Sequence, residues 1–331
     1  MMRKRAWLQW ATALAWGGHT GHSSAQQRPA ASAHAPAWPS LTIFIPASPG
    51  GGWDQTGRAL GHALQSTGAV GQIRYENVGG KAGVVGLNAF AERYKGRPDA
   101  LMITGMVMLG GIALHRSALD LSRLNPLAQL TSDYLVVAVP AASPLRTAQD
   151  LADRLREPAY KATVVGGSAG SVDHMLLGMM LRSVHANPAQ FTYLSTGGGG
   201  QASKALQNRQ ADWGISGYSE LAEAIQAGQV RPLVISSQRS EMGLPSLRDV
   251  GIYTTLVNWR GLCAPSGLTP PQLEALQALI DRVVTTAPWR EALKTNRWLA
   301  TYRNAPAFRR FIETEQSTAR VVVSLLKLNG S

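Results

Sequence analysis

Two glycine-rich stretches contain the side chains best placed to do chemistry. The first, Pro49-Gly50-Gly51-Gly52-Trp53-Asp54, follows the apolar, β-prone run Leu41 to Ile45 and leads into a helical pattern from Asp54. A strand, a tight loop and a helix start can lay several backbone N–H groups around an anion, with the positive end of the helix dipole behind them. Gly52 to Gly57 has the spacing of a P-loop, but Arg58 and Ala59 stand where a Lys and a Ser/Thr must reach phosphate and Mg²⁺. Gln55 interrupts the dinucleotide fingerprint where a glycine is required. The loop therefore reads as an anion cradle that is not built for a nucleotide. Asp54 is placed to cap the helix N-terminus, and Trp53 to wall a pocket.

The second stretch, Gly166-Gly167-Ser168-Ala169-Gly170, fits the G-x-S-x-G nucleophile elbow between a strand and a helix. A secreted serine hydrolase is the alternative function that this elbow raises. Such an enzyme needs an acid and then a histidine further along the chain, whereas the last histidines are His174 and His185. Ser168 and Ser171 are read instead as hydrogen-bonding groups for a carboxylate, with His174 capping or filling the core. The chain is thus expected to be a non-enzyme. The seven histidines lack ligand spacing, so neither a metal nor a cofactor is expected.

The elements that must position these loops alternate along the chain. Strands are expected at Gln72 to Glu76, Ala100 to Thr104, Asp133 to Pro140, Ala162 to Val165, Phe191 to Leu194, Asp212 to Ser216, Arg231 to Ser236 and Trp259 to Ala264. Helices are expected between most of them, and three proline-started helices follow Pro271, Pro288 and Pro306. Met106 to Gly111 reads as a loop. Met175, Leu176, Met179 and Met180 fall at helical spacing and read as core filling. Such alternation predicts mostly parallel sheets with ligand loops at the strands' carboxyl ends.

The 331 residues carry a formal charge of +12. Arg3, Lys4 and Arg5 precede an apolar stretch from Ala6 to Gly18 and small residues at Ser23-Ser24-Ala25, the pattern of a secretory signal peptide over 1–25. Without those three charges the mature chain keeps +9, scattered rather than blocked, which favours small acids over nucleic acid. Residues 26–39 are rich in Ala, Pro, Ser and His and read as a flexible N-terminus. Cys263 is the only cysteine, so no disulfide forms within one chain.

In this order the motifs resemble those of the Bug-type periplasmic solute receptors of tripartite tricarboxylate transporters. The resemblance covers nearly everything after Ser40. It rests on Pro49 to Asp54 with Arg58-Ala59-Leu60, Glu76-Asn77 and Gly167-Ser168-Ala169-Gly170 with His174. It continues through Thr196-Gly197-Gly198-Gly199, Gly217-Tyr218 and Asn258-Trp259-Arg260-Gly261-Leu262 with Ala264-Pro265. It implies an α/β two-lobed, type II-like flytrap, each lobe a mostly parallel sheet flanked by helices and joined to the other by two crossing strands. The lobes would be 40–135 with 237–331, and 136–236. It also implies that carboxylates are held by Ser48, Gly51, Gly52, Trp53 and Asp54 from one lobe and by Ser168, Gly170, Ser171, Thr196 and Gly197 from the other. Trp53 and Gly217-Tyr218 look most like the tricarboxylate-binding branch, with Tyr218 at the site and citrate-like acids as ligands. The implied protein is a periplasmic monomer that delivers a small organic carboxylate to integral-membrane permease subunits. Gly79 and Lys81 depart from the family loop after Asn77, and Lys81 is expected to be solvated.

Overall fold

The computed structural model describes residues 38–325; the expected signal peptide, and the flexible N-terminus up to residue 37, lie outside them. The chain opens with strand β1 (Trp38–Ile45), helix α1 (Gly52–Ser66), β2 (Val70–Asn77), α2 (Val84–Arg93), β3 (Ala100–Gly105) and α3 (Met106–Leu114). β1 lies between β2 and β3 and pairs with both in parallel. Leu41, Ile43, Phe44 and Ile45 are all buried, as a continuous apolar run covered by helices on both faces must be.

Strand β4 (Asn125–Pro140) then connects two sheets. Its first half pairs antiparallel with β9 (Val257–Ala264), which itself pairs antiparallel with β3. From Leu135 onward it pairs with β7 (Trp213–Gly217) and β8 (Val230–Ile235) instead. The second sheet repeats the plan of the first: β5 (Ala162–Gly166) lies between β6 (Phe191–Ser195) and β7, parallel to both. Its helices are α4 (Ala148–Arg156), α5 (Val172–Ser183), α6 (Gly199–Gln207) and α7 (Tyr218–Gln226). The last helices are α8 (Pro270–Val283), α9 (Ala287–Thr295) and α10 (Ala305–Leu325). Each lobe therefore has three parallel strands, and antiparallel pairing enters through β4, which runs beside β9 in the first sheet and beside β7 and β8 in the second.

Two elements depart from the sequence reading. Residues 106–114 form α3 rather than a loop, although Gly110 and Gly111 lie inside it. A Cβ on Gly110 would collide with the Gly170 carbonyl, and one on Gly111 would stand 2.8 Å from the Ala82 methyl. Close packing thus explains glycines that would otherwise weaken a helix. β4 also begins eight residues before the expected Asp133. Its first half contains Gln129, Thr131 and Ser132, which lack strand-like alternation and are buried against the segment before α10. There the Gln129 and Ser132 amides donate to the Arg303 and Leu299 carbonyls, and Thr131 Oγ1 donates to the Leu299 carbonyl at 2.8 Å.

Candidate functional site

The cradle at the start of α1 faces a carboxylate from the other lobe. Glu220 Oε1 accepts from the Gly52 N–H at 2.6 Å, while Oε2 accepts from Ser216 Oγ at 2.9 Å and from the Gly217 N–H at 3.2 Å. The positive end of the α1 dipole favours an anion there, and Glu220 supplies one from within the chain. The approach needs bare backbone: a Cβ on Gly199 would collide with both the Glu220 carboxyl and Ser216 Oγ.

Between the lobes opens a cleft of about 570 Å³, its mouth included. Pro46, Ala47, Gly51, Gly52 and Trp53 line it from the first loop, and Ala82 and Gly83 from the loop after β2. Gly167, Ser168, Ser171, Gly197 and Gly198 face them from the second lobe. Charged and amide groups come from Asp173, Glu220, Asn258 and Arg260. The Ala82 wall is conformationally strained, since Lys81 and Ala82 have φ of 49° and 53°.

Arg260 is fully buried, and its Nη2 lies 3.2 Å from Asp133 Oδ2. A Cβ on Gly52 would stand 2.5 Å from that same Nη2, so glycine at 52 admits the guanidinium to the helix start. The Arg260 Cζ lies over the Trp298 ring, 5.2 Å from its centre. Burial pushes the Asp133 carboxyl up to about 7; the Arg260 charge pulls it down and Glu220 pushes it further up. Asp173, at the start of α5, is likewise raised to about 7, first by burial and then by Glu220, although its Oδ2 accepts from the Gly167 N–H at 2.7 Å. Four buried polar atoms on cleft-lining residues lack a hydrogen-bond partner among the described residues: Trp53 Nε1, Ser171 Oγ, Asn258 Oδ1 and Arg260 Nε. Such groups cost free energy unless something else satisfies them.

Of the residues expected at the site, Gly51, Gly52, Trp53, Ser168, Ser171 and Gly197 line the cleft. Ser48 lies at its edge, with Oγ 3.0 Å from where a Gly197 Cβ would be. Asp54 turns away from the cleft and ties the loop together, accepting from Gly50 N, Arg58 Nε and Asn77 Nδ2 at 2.9, 2.9 and 3.0 Å. Those bonds outweigh its desolvation and hold its carboxyl below the ordinary value. Gly170 packs against Leu114 and the Gly110 carbonyl. Thr196 Oγ1 bonds the Gly166 carbonyl at 2.8 Å, and Tyr218 is buried beneath the Arg297 guanidinium at 4.5 Å. Lys81 is exposed and is not among the cleft-lining residues. Sequence reading did not single out Asp173 or Glu220, and it cited Asn258 and Arg260 only within a family motif. The local signal of the two acids is a carboxylate in the first turn of a helix, which ordinarily means a cap.

Ser168 and His174 do not form a nucleophile–base pair. Ser168 Oγ bonds the Thr196 carbonyl at 3.3 Å, while His174 Nδ1 accepts from the Gly170 N–H at 3.2 Å. The imidazole stacks on Tyr193 at 4.0 Å, and burial lowers its pKa to about 4, so the ring is neutral. Among the described residues no cluster of His, Cys, Asp and Glu has the geometry to hold a metal, and no helix is long and apolar enough to cross a membrane.

Comparison with known proteins agrees with this geometry. A family model described as "Tripartite tricarboxylate transporter family receptor" matches residues 71–328. The chain is 26% identical over 270 residues to the "UPF0065 protein in tcbD-tcbE intergenic region" of Pseudomonas sp. strain P51, covering 78% of each chain. Its fold matches MatC from Rhodopseudomonas palustris with bound malate at a TM-score of 0.76 and 21% identity, over 86% of this chain and 98% of that one. It also matches the periplasmic binding protein BugD at a TM-score of 0.77 and 17% identity, over 89% and 99% of the two chains. The family match begins after α1, so the case for the first loop rests on its geometry.

Proposed function

Since the chain belongs to the tripartite tricarboxylate transporter receptor family, we propose that it is a periplasmic receptor that closes its two lobes on a small organic carboxylate and delivers it to membrane permease subunits. In this reading it is exported through the signal peptide at 1–25 and works as a monomer, with lobes 40–135 plus 237–331 and 136–236. The observation that carries it is the cleft, lined by the glycine loops of both lobes, the Ser168 and Ser171 side chains and Arg260. A ligand carboxylate accepting from donors of the first loop, Gly51 to Trp53, and of the second, Ser168 and Ser171, would bond to both lobes at once. Closure follows when one ligand touches both lobes, because only the closed form makes both sets of bonds. The malate held by the structural neighbour supports a dicarboxylate, and citrate-like acids follow from the motif resemblance.

The test is thermal unfolding of the mature chain against a panel of organic acids that includes malate, succinate and citrate. At about 100 times Kd a ligand stabilises the native state by about 2.7 kcal/mol. A shift of several degrees with at least one acid is expected; no shift across the panel and no co-purified ligand would sink the reading.

A further inference from the structure

The two lobes frame a cleft, and they also touch each other directly. The first turn of α7 makes three of these contacts. Tyr218 lies beneath the Arg297 guanidinium, Ser219 Oγ accepts from Trp298 Nε1 at 3.2 Å, and Glu220 Oε1 accepts from the Gly52 N–H at 2.6 Å. The first two lie beside β4, because Leu299, next to Trp298, exchanges backbone bonds with Ser132 of that strand. β4 runs from one sheet into the other, so a change in the angle between lobes moves those contacts little. The Glu220 contact joins two loops instead. Around it the backbones meet with no side chains between them: a Cβ on Gly200 would stand 2.6 Å from the Gly50 carbonyl, and one on Gly51 would lie 3.9 Å from the Gly198 Cα.

Glu220 is held ready for this contact from its own side. Its Oε2 accepts from Ser216 Oγ and the Gly217 N–H, which fixes the carboxylate with Oε1 turned to the first lobe. Across from it stands the N-terminus of the 15-residue helix α1, where an anion is favoured. A charge-assisted bond of this kind is shorter and stronger than one between neutral groups. We infer that Glu220 is a positioning residue of the receptor: its carboxylate fastens the second lobe to the first loop, so the chain itself supplies part of the closing free energy. This rests on the receptor reading above and adds how its cleft is closed. The affinity of any ligand that needs the closed form scales with the closed fraction, so Glu220 changes every affinity by the same factor. A residue that recognised one group of one ligand would change some affinities and leave others.

Glu220→Asp separates closure from folding. Asp150 and Asp249 occupy the same place in the first turns of their own helices, each accepting from the N–H three residues back. An aspartate at 220 therefore keeps the charge and the bond from the Gly217 N–H, but it is one methylene too short for Gly52. The mature chain would carry spin labels at His62→Cys and Lys204→Cys, exposed positions on α1 and α6, while the buried Cys263 stays unlabelled. Pulsed dipolar spectroscopy without ligand should give one main distance between the lobes. In Glu220→Asp at least half of that population is expected to move to longer distances, with the urea midpoint unchanged. Calorimetric titration with malate, succinate and citrate should then show every measurable Kd rising by one common factor of three or more. An unchanged distance distribution, or a loss of affinity confined to some of the acids, overturns the inference and leaves the receptor reading standing. If no acid binds the unsubstituted chain, the receptor reading falls and the distances alone decide the role of Glu220. Should Glu220→Asp not fold, Glu220→Gln decides by the same distances, because its amide NH₂ must face either the Gly52 N–H or the Gly217 N–H.

Discussion

Gly52 is bare because Arg260 occupies the space where a side chain would begin. Its φ is helical, so the need is for room: a Cβ would stand 2.5 Å from Nη2 of a guanidinium held by Asp133 and Trp298. Gly52→Ala should therefore overpack a site that cannot give way, at a cost of about 1–3 kcal/mol. It should also weaken the best ligand at least ten-fold, because Arg260 moves with it. Denaturant unfolding and calorimetric titration would check this, and an alanine variant of unchanged stability and affinity would refute the close-packing account. At this scale the glycine loops were legible in the chain, since a run of three glycines after a strand is a local signal. Glu220, 168 residues from the Gly52 N–H it meets, was not. An acid in a helix's first turn looks the same whether it caps its own helix or reaches across a cleft, and Glu220 does both.

Helix α3 shows what a tight contact between elements asks of a sequence. Its Gly110 meets the Gly170 carbonyl of the opposite lobe, and Met175 of α5 comes within 3.1 Å of the same position. Gly110→Val would suit the helix at least as well as glycine, but its Cβ would collide with the Gly170 carbonyl, so the packed structure should lose about 1–3 kcal/mol. The added bulk would hold the lobes apart, and ligand affinity is expected to fall ten-fold or more. Equal affinity in calorimetry would show that the α3 contact takes no part in closure. Reading 106–111 as a loop followed from those glycines, because sequence spacing cannot tell a glycine that breaks a helix from one that lets another backbone approach. The hidden first half of β4 has a parallel cause. Its polar residues find partners in the segment at 299–303, more than 160 residues away, and no local pattern announces that.

For the whole molecule, the buried ionisable groups set how stability varies with pH. Asp133 and Asp173 ionise at about 3.8 in the unfolded chain but near 7 in the folded one, so the native state binds more protons across that interval. Stability from these groups falls as pH rises from about 4 to 7. His174 works the other way between its folded value of about 4 and its ordinary 6.5, because there the unfolded chain binds the proton. Lowered carboxyls such as Asp54 act below their ordinary 3.8, outside this window. The two aspartates outweigh His174, with which His115, also lowered by burial, acts; the net slope from these groups should be negative between about 4 and 7, and Asp173→Asn should flatten it. Urea unfolding at closely spaced pH values would measure this; a rise in stability through that interval would contradict it. By itself the sequence determined the alternation of strands and helices, the glycine-rich loops at strand ends and the exclusion of nucleotide motifs, because periodicity, loop composition and fixed spacing act over a few residues. Only the tertiary structure decided what the cradle meets: Glu220 at the Gly52 N–H, Asp173 and Asn258 in the cleft, and Arg260 shared with Asp133. Charge balance in a buried cleft is a sum over residues far apart in the chain, and folding alone brings its terms together.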